Sequence, residues 1–439
     1  MSEATNSEFR GIPKDLPPRS AIARRGRFAY FTLLAVLLTG GSLLFNTSRT
    51  MSPVWYGPYL SAAANLSWGG PFQIDLDEVV LFSELTSEQR AQYHFTGTAD
   101  LTHYNHNPLG FAYVVAGAKW LFPFLSDVWA LKALQIGLHV ASCLLILTLL
   151  QGRTSQILFL VLYGLNPAVI YFVTFPYYYF LQSIPSVFLA YCLLSKRPRG
   201  PFAGTAGLFF LTAAAGALGI VLLTRPTTIA AIALSLLLLL IRLQRRWRGL
   251  LALAVFTAVV VTGHAPTEKN FWHTAYVGLG AYPNEEVTLL SDNEGYDLFE
   301  RETGTLMNAS LGGNYYDSET TSLYKQISRS AYLRILNEEY PRLALNATAN
   351  IGQSFSVGFI NRAPLFLNYI IAMSGFLVAA LLMKSGQYWL TTAIFLTSAT
   401  FTPYYPPIQA YMFGAFLLLV LGVLRYPIRS ARQRSASIP

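Results

Sequence analysis

Charge is scarce in this chain. Only 12% of its 439 residues are Asp, Glu, Lys or Arg, about half the share of a soluble globular domain. The shortage accompanies 53% hydrophobic residues and repeated apolar runs of about 15–21 residues, which together exclude a string of soluble domains and read as an integral membrane protein. Cysteine is nearly missing as well. Cys143 and Cys192 both lie inside apolar runs, so an extracytoplasmic disulfide framework is excluded. The motifs HExxH, CxxC, GxSxG and a glycine-rich phosphate loop are all absent, leaving zincin, redox, serine-hydrolase and nucleotide-phosphate chemistry without sequence support. There is no internal repeat of 20–50 residues.

What is present is a succession of ten apolar runs: 28–45, 128–150, 155–174, 177–194, 202–223, 226–241, 249–263, 364–383, 388–401 and 408–424. The first follows a basic tail ending in Arg24, Arg25 and Arg27. It exceeds a signal-peptide core of about 7–15 residues and closes on "LLFNTSRT", which lacks a small-x-small cleavage site, so an uncleaved first span is expected. The runs 249–263 and 388–401 are short for a bilayer core of about 30 Å and need flanking side chains to snorkel. An eleventh stretch, 108–124 ("PLGFAYVVAGAKWLFPF"), is interrupted by Lys119. If it does not span, "SKRPR", "RLQRRWR" and "RYPIRSARQR" all share the side of the basic N-tail, with 19 of the 31 Lys and Arg residues. The positive-inside rule favours that arrangement, so 108–124 reads as an interfacial or re-entrant helix.

The expected fold is an all-α polytopic membrane protein with about ten transmembrane helices. A cytoplasmic tail (1–27) precedes a transmembrane domain (28–263) that contains a first outer loop (46–127). An extracytoplasmic loop domain (264–361), C-terminal transmembrane helices (362–424) and a basic tail (425–439) follow. In this topology the 19 acids beyond Glu3, Glu8 and Asp15 all face outward. The net charge of +9 is then a topogenic signal, and nucleic acid is not an expected partner.

The first outer loop opens with "SPVWYGPYLSAAANLSWGG", a short amphipathic stretch suited to the membrane interface. Residues 72–111 then gather six carboxylates and three histidines. Asp75, Asp77 and Glu78 fall within four residues of one another just outside the membrane, so one could serve as a general base. The plainer reading is a helix N-terminus with Asp77 as its cap. In "DLTHYNHNPLG", Asp100, His103, Tyr104 and His106 suit a sugar or donor phosphate, or simply a turn. A metal there lacks a third ligand, and no metal is expected. Arg225, in "LLTRPTTIA", falls at the outer interface, where a guanidinium can hold a lipid-linked phosphate in a bidentate grip or anchor the helix by snorkelling. His264 and His273 flank the start of the second loop. That loop is rich in Tyr, Trp, Asn and His, which suit sugar rings, and a helix is expected across "SLYKQISRSAYLRILNEEY", stopped by Pro341. Lys132 and His139, the exceptions inside the spans, read as structural. The sequons at Asn46, Asn65, Asn308 and Asn346 are expected by chance.

The chain resembles the GT-C superfamily of integral-membrane glycosyltransferases. The resemblance rests on a first span followed by a long acidic outer loop; on "HYNHNPLGF", similar to the "HPPLG" or "KPPL" segment of protein mannosyltransferases and lipid A aminoarabinose transferases; on "LYGLNPAVIYFVTFPYYYFLQSIPSVFLAYCLL", similar to the third and fourth spans; and on a large late outer loop. It implies a polyprenyl-phosphate sugar donor in the outer leaflet of a bacterial inner membrane. The acceptor would be a glycan, lipid or protein, a pilin-like protein among them. A first-loop carboxylate would deprotonate the acceptor, the sugar would transfer with inversion, and cationic groups would stabilise the departing lipid phosphate. No cofactor is implied. One departure stands out. The family's Asp sits about ten residues past the first span, where this chain reads "PVWYGPYL"; its nearest acid is Asp75. The competing expectations are a Wzy-like polymerase or ligase using diphosphate-linked donors, and a lipid or glycan transporter.

Overall fold

The computed structural model describes residues 19–46, 52–97, 101–103, 110–150, 152–194, 204–242, 246–265, 270–309 and 313–436. Among them are nineteen α-helices and one two-stranded ribbon. Helix α1 (Arg19–Leu44) leads into a first loop holding α2 (Pro53–Ala64), β1 (Gln73–Ile74), α3 (Leu76–Glu84), α4 (Ser87–Arg90), β2 (Thr102–His103) and α5 (Gly110–Leu121). Then follow α6 (Asp127–Leu149), α7 (Arg153–Phe159), α8 (Pro167–Thr174), α9 (Ser183–Leu194), α10 (Gly204–Thr224), α11 (Ile229–Arg242) and α12 (Arg246–Gly263). A late segment comprises α13 (Phe271–Gly278), α14 (Asp292–Thr303), α15 (Ser318–Glu338) and α16 (Tyr340–Gln353), before α17 (Leu365–Lys384), α18 (Tyr388–Ser398) and α19 (Gln409–Ala436).

Among the described residues four helices are long and apolar enough to cross a membrane: α6, residues Gly207–Thr224 of α10, α12 and α17. A fifth span results if α7 and α8 count together, bent by 53°. The chain thus has the make-up of a multi-pass membrane protein. The bend has a local cause. Pro167 offers no N–H and pushes Asn166 out of the helical region (ψ 122°), while the Asn166 side chain caps the new helix at Ala168 N (2.9 Å). The other expected spans are shorter apolar helices, Phe28–Leu44, Tyr178–Leu194, Pro226–Ile241 and Gln409–Arg425, and the eleven-residue α18. Helix α5 has twelve residues, about 18 Å at 1.5 Å per residue, short of a 30 Å core.

Part of the first loop is built into the bundle. Tyr59, Leu60, Phe111 and Val115 belong to the same buried core as Leu131, Phe180, Leu218 and Phe413 of the bundle. Helix α2, expected to be an amphipathic interfacial segment, is buried at every position from Tyr56 to Ala63. Its small and aromatic residues offer no polar face, and such a helix packs inside. Gly110 starts α5 directly against the Leu223–Thr224 backbone, where a Cβ would have no room.

The late segment has its own small core of Tyr276, Leu279, Val287, Leu298, Ala331 and Ile335. Helix α15 ends at Glu338 ahead of Pro341, as expected, and Pro341 itself sits in the first turn of α16, where the missing N–H costs nothing. Helix α13 docks on the loop before α19: Gly278 faces the Tyr404 carbonyl with no space for a side chain, and the Phe271 and Tyr404 rings lie 4.8 Å apart.

Candidate functional site

Helix α10 ends at Thr224 because Pro226 follows. Arg225 leaves the helix in extended conformation (φ −146°, ψ 94°), and its side chain is buried, 8% exposed. The guanidinium carbon lies 3.9 Å from the Tyr411 ring centroid and 5.5 Å from that of Tyr178. Its Nε donates to Thr227 Oγ1 at 3.0 Å. Tyr59, Tyr179 and Tyr404 are also within its electrostatic reach. Among the described residues no carboxylate lies within ion-pair distance of Arg225. Cation–π contacts of roughly 0.5–2 kcal/mol offset only part of the several kcal/mol needed to bury a cation. The centre keeps surplus positive charge and surplus donors on a five-donor fork.

Two short tyrosine-proline stretches build this box. "PYYYF" (176–180) turns between α8 and α9, with Tyr177 and Tyr178 at 4.0 Å and Tyr179 stacked on Phe175 at 5.8 Å. "PYYPP" (403–407) precedes α19, whose first turn carries Tyr411, 5.3 Å from Tyr405 and 6.3 Å from Tyr179. Gln182 ties the two together by donating to the Ala410 carbonyl at 3.0 Å. An apolar cleft of about 580 Å³ opens between α8 and α19, lined among others by Val169, Phe172, Val357, Met412, Phe413 and Phe416. Its wall residue Phe172 packs edge-on against Tyr179, ring centroids 6.1 Å apart, so the cleft wall adjoins the tyrosines around Arg225.

A second cluster sits in the late segment. The Asn270 side chain caps α13 and accepts from Trp272 N and His273 N (3.1 and 3.2 Å). His273 Nε2 meets Asp292 Oδ1 at 3.2 Å, and its Nδ1 meets the Tyr324 hydroxyl. Tyr296 stacks on the imidazole at 5.6 Å and 13°. With Nε2–H donated to the carboxylate, Nδ1 accepts from the phenol, a tautomer inferred from the network. The His273 hydrogen bond outweighs partial desolvation and holds the Asp292 carboxyl below its ordinary value. The Asp292 side chain is 69% exposed, yet protein surrounds it closely enough to desolvate it. A carboxylate projecting into a water-accessible recess satisfies both. Its charge reaches the phenols of Tyr179, Tyr405 and Tyr411. Tyr411 therefore faces Arg225 and Asp292 alike.

The first-loop acids are placed differently. Asp75, not Asp77, caps α3: Oδ1 accepts from Glu78 N at 2.9 Å, and Asp75 N donates to Ser61 Oγ at 3.0 Å. Asp77 is exposed in the first turn. Glu78 Oε1 accepts from Thr96 N (3.0 Å), Thr96 Oγ1 and the Tyr93 hydroxyl (both 3.3 Å). The three carboxylates thus turn to different partners. The ribbon pairs Gln73 with His103 and Ile74 with Thr102, which lays the "DLTHYNH" backbone beside β1. Asp100, Tyr104 and His106 lie outside the described residues. His264 is exposed beyond α12, next to Gly263, whose carbonyl accepts from the Tyr113 hydroxyl at 3.1 Å. Among the described residues no group of three or more His, Cys, Asp or Glu side chains converges for a metal.

Of the sequence candidates, Arg225 sits in the tyrosine box and His273 in the Asp292 cluster. Sequence reasoning missed Asp292, Tyr178, Tyr179, Tyr324, Tyr405 and Tyr411. The paired "PYYYF" and "PYYPP" stretches carried a signal for the tyrosines; nothing local marked Asp292 among twelve acids of the late segment. No protein-family description, no curated protein and no solved structure matches this chain.

Proposed function

We propose that this chain is a membrane glycosyltransferase that takes its sugar from a polyprenyl-phosphate donor. The observation that carries the reading is Arg225: a buried guanidinium with no carboxylate partner among the described residues, boxed by tyrosines, one of which packs on the wall of an apolar cleft. That combination suits a molecule with one anionic phosphate and a long apolar tail. The phosphate would accept the fork's spare hydrogen bonds, the isoprenoid would fill the cleft beside Phe172 and Phe413, and the phenols would bracket the sugar. In transfer, negative charge grows on the phosphate oxygen as its bond to the anomeric carbon breaks, and a preorganised cation in a dry site stabilises that charge. Direct attack by an acceptor hydroxyl inverts the anomeric centre. The apolar runs give about ten spans and the positive-inside rule turns the two loops outward; a bacterial inner membrane is what the glycosyltransferase resemblance implies. The acceptor would be an extracytoplasmic glycan, lipid or protein.

The test uses full-length protein in proteoliposomes, a panel of radiolabelled polyprenyl-phosphate sugars and a membrane extract as acceptor source. A new glycosidic bond with release of lipid monophosphate is expected, and Arg225→Ala should lose both binding of polyprenyl phosphate and transfer. Release of lipid diphosphate would identify a polymerase or ligase instead. Movement of the lipid between leaflets with no new bond would identify a transporter.

A further inference from the structure

We propose that Asp292 is the general base of this site, with His273 and Tyr324 as the residues that position it. The inference rests on the glycosyl-transfer reading and adds the group that takes the proton, which the first-loop acids are poorly placed to do.

Three observations carry it. Asp292 is held from one side only: Oδ1 takes the His273 Nε2 hydrogen bond at 3.2 Å, and His273 is itself fixed by the Tyr324 hydroxyl and by the Tyr296 ring stacked at 5.6 Å. A carboxylate oriented by an imidazole that is oriented in turn by a third group has the make-up of a positioned base. Next, the backbone leaves room for this arrangement where a side chain would destroy it. A Cβ on Gly295 would strike both the Tyr324 hydroxyl and His273 Nδ1. Finally, the Asp292 charge extends to the tyrosines that cover the cation. Tyr411 lies on the Arg225 guanidinium at 3.9 Å, touches Tyr405 at 5.3 Å, and both phenols feel the Asp292 charge. Helix α13, which carries His273, docks on the same 404–405 loop through Phe271 and Gly278.

The step balances as follows. The acceptor hydroxyl gives its proton to the Asp292 carboxylate, and its oxygen forms the bond to the anomeric carbon. The bond from that carbon to the phosphate oxygen breaks, and its electron pair leaves with the lipid phosphate beside Arg225. Asp292 then returns the proton to water through the open side of the recess.

The groups facing Asp292 are His273 of α13, Tyr324 of α15, Tyr296 of its own helix, and Tyr179, Tyr405 and Tyr411 from the bundle. Glu294 is turned to Thr288 and Leu289 N, Arg301 to Tyr276, and Arg329 to the Trp272 ring. The base works when ionised, so transfer falls as pH drops through its pKa. The His273 hydrogen bond places that fall below the ordinary carboxylate range. Loss of His273 should move it upward, since desolvation by the surrounding protein is then unopposed.

The experiment measures transfer and polyprenyl-phosphate binding on full-length protein in proteoliposomes, as a function of pH. Asp292→Asn should lower transfer by roughly 10²–10⁴-fold with polyprenyl-phosphate binding kept, and Asp292→Glu should recover part of it. His273→Gln should shift the acid limb up, which a merely structural histidine would not do. The inference is overturned if Asp292→Asn transfers at the wild-type rate, above all if Asp77→Asn or Glu78→Gln abolishes transfer. A wild-type protein that binds polyprenyl phosphate but forms no glycosidic bond from any donor sinks the glycosyl-transfer reading, and the base with it.

Discussion

Asp75 and Asp292 each stand at the start of a helix beside the bundle, yet their carboxylates have opposite fates. Asp75 is itself the cap of α3, and its Oδ1 is taken by Glu78 N of the same helix. Helix α14 is capped by the residue before, Ser291, whose Oγ accepts from Asn293 N at 3.3 Å. Asp292 is thereby spared from capping and reaches across to His273 on another helix. The contrast extends through both regions. In the first loop, Glu78 is occupied by Tyr93 and Thr96, and Asp127, 1% exposed, by Lys119 and Phe95 N. Acids gathered in sequence serve the loop's own structure, whereas the acid at the recess is a single residue presented from a different helix.

The sharpest way to break the comparison is at the cation both regions surround. Arg225→Ala should lower transfer by roughly 10³-fold, the scale on which lost transition-state electrostatics are measured. Arg225→Lys should recover only part, since a point charge cannot reproduce the bidentate fork. Folding should survive both changes, because removing a buried cation that lacks a carboxylate partner relieves desolvation; an unchanged melting temperature beside the lost rate would show this.

The first loop should answer in stability instead. Asp127→Ala strands Lys119, from which it lies 2.9 Å, and the buried Phe95 N–H. Breaking a buried pair of this kind costs about 3 kcal/mol, toward the low end because Lys119 can partly reach water. Thermal or denaturant unfolding in detergent should show it, while transfer per folded molecule stays near wild type. Glu78→Gln keeps the shape but weakens three acceptor contacts to Tyr93 and Thr96, for about 1–2 kcal/mol. If instead the rate collapses while stability holds, the first-loop acids are catalytic after all.

Much of the architecture could be read in advance and part could not, and the reason is physical in each case. Long apolar runs such as 128–150 or 364–383 carry their own hydropathy signal, and they fold as α6 and α17. The run 155–174 carries the same signal, but Pro167 bends it, a local effect that hydropathy ignores. Helix α2 looked interfacial because its aromatics suit a headgroup zone; contacts with Phe72, Phe111 and Tyr177 around Tyr59 decide otherwise, and those partners are distant in sequence. Arg225 was legible because an isolated arginine between two apolar runs is conspicuous. Asp292 was not, since its role depends on His273, 19 residues before it, and on Tyr324, which lies 51 residues beyond His273, and on Gly295 leaving them room.

The smallest effect probes the capping argument itself. Ser291→Ala removes the side chain that caps α14, and N-cap loss costs about 1 kcal/mol. If Ser291 merely stabilises the helix, that loss is the whole effect. If its capping is what releases Asp292, a second consequence follows. The uncapped N-terminus offers the Asp292 carboxylate a competing set of N–H donors and a favourable dipole. The His273 contact then weakens, transfer falls as the carboxylate leaves its positioned geometry, and the pH profile departs from wild type. Ser291→Asp, which restores a cap, should recover stability; a return of the wild-type pH profile alongside would show that the cap and the base are coupled through Asp292. Stability lost and regained with the profile fixed throughout would separate them, and leave the difference between Asp75 and Asp292 to their neighbours alone.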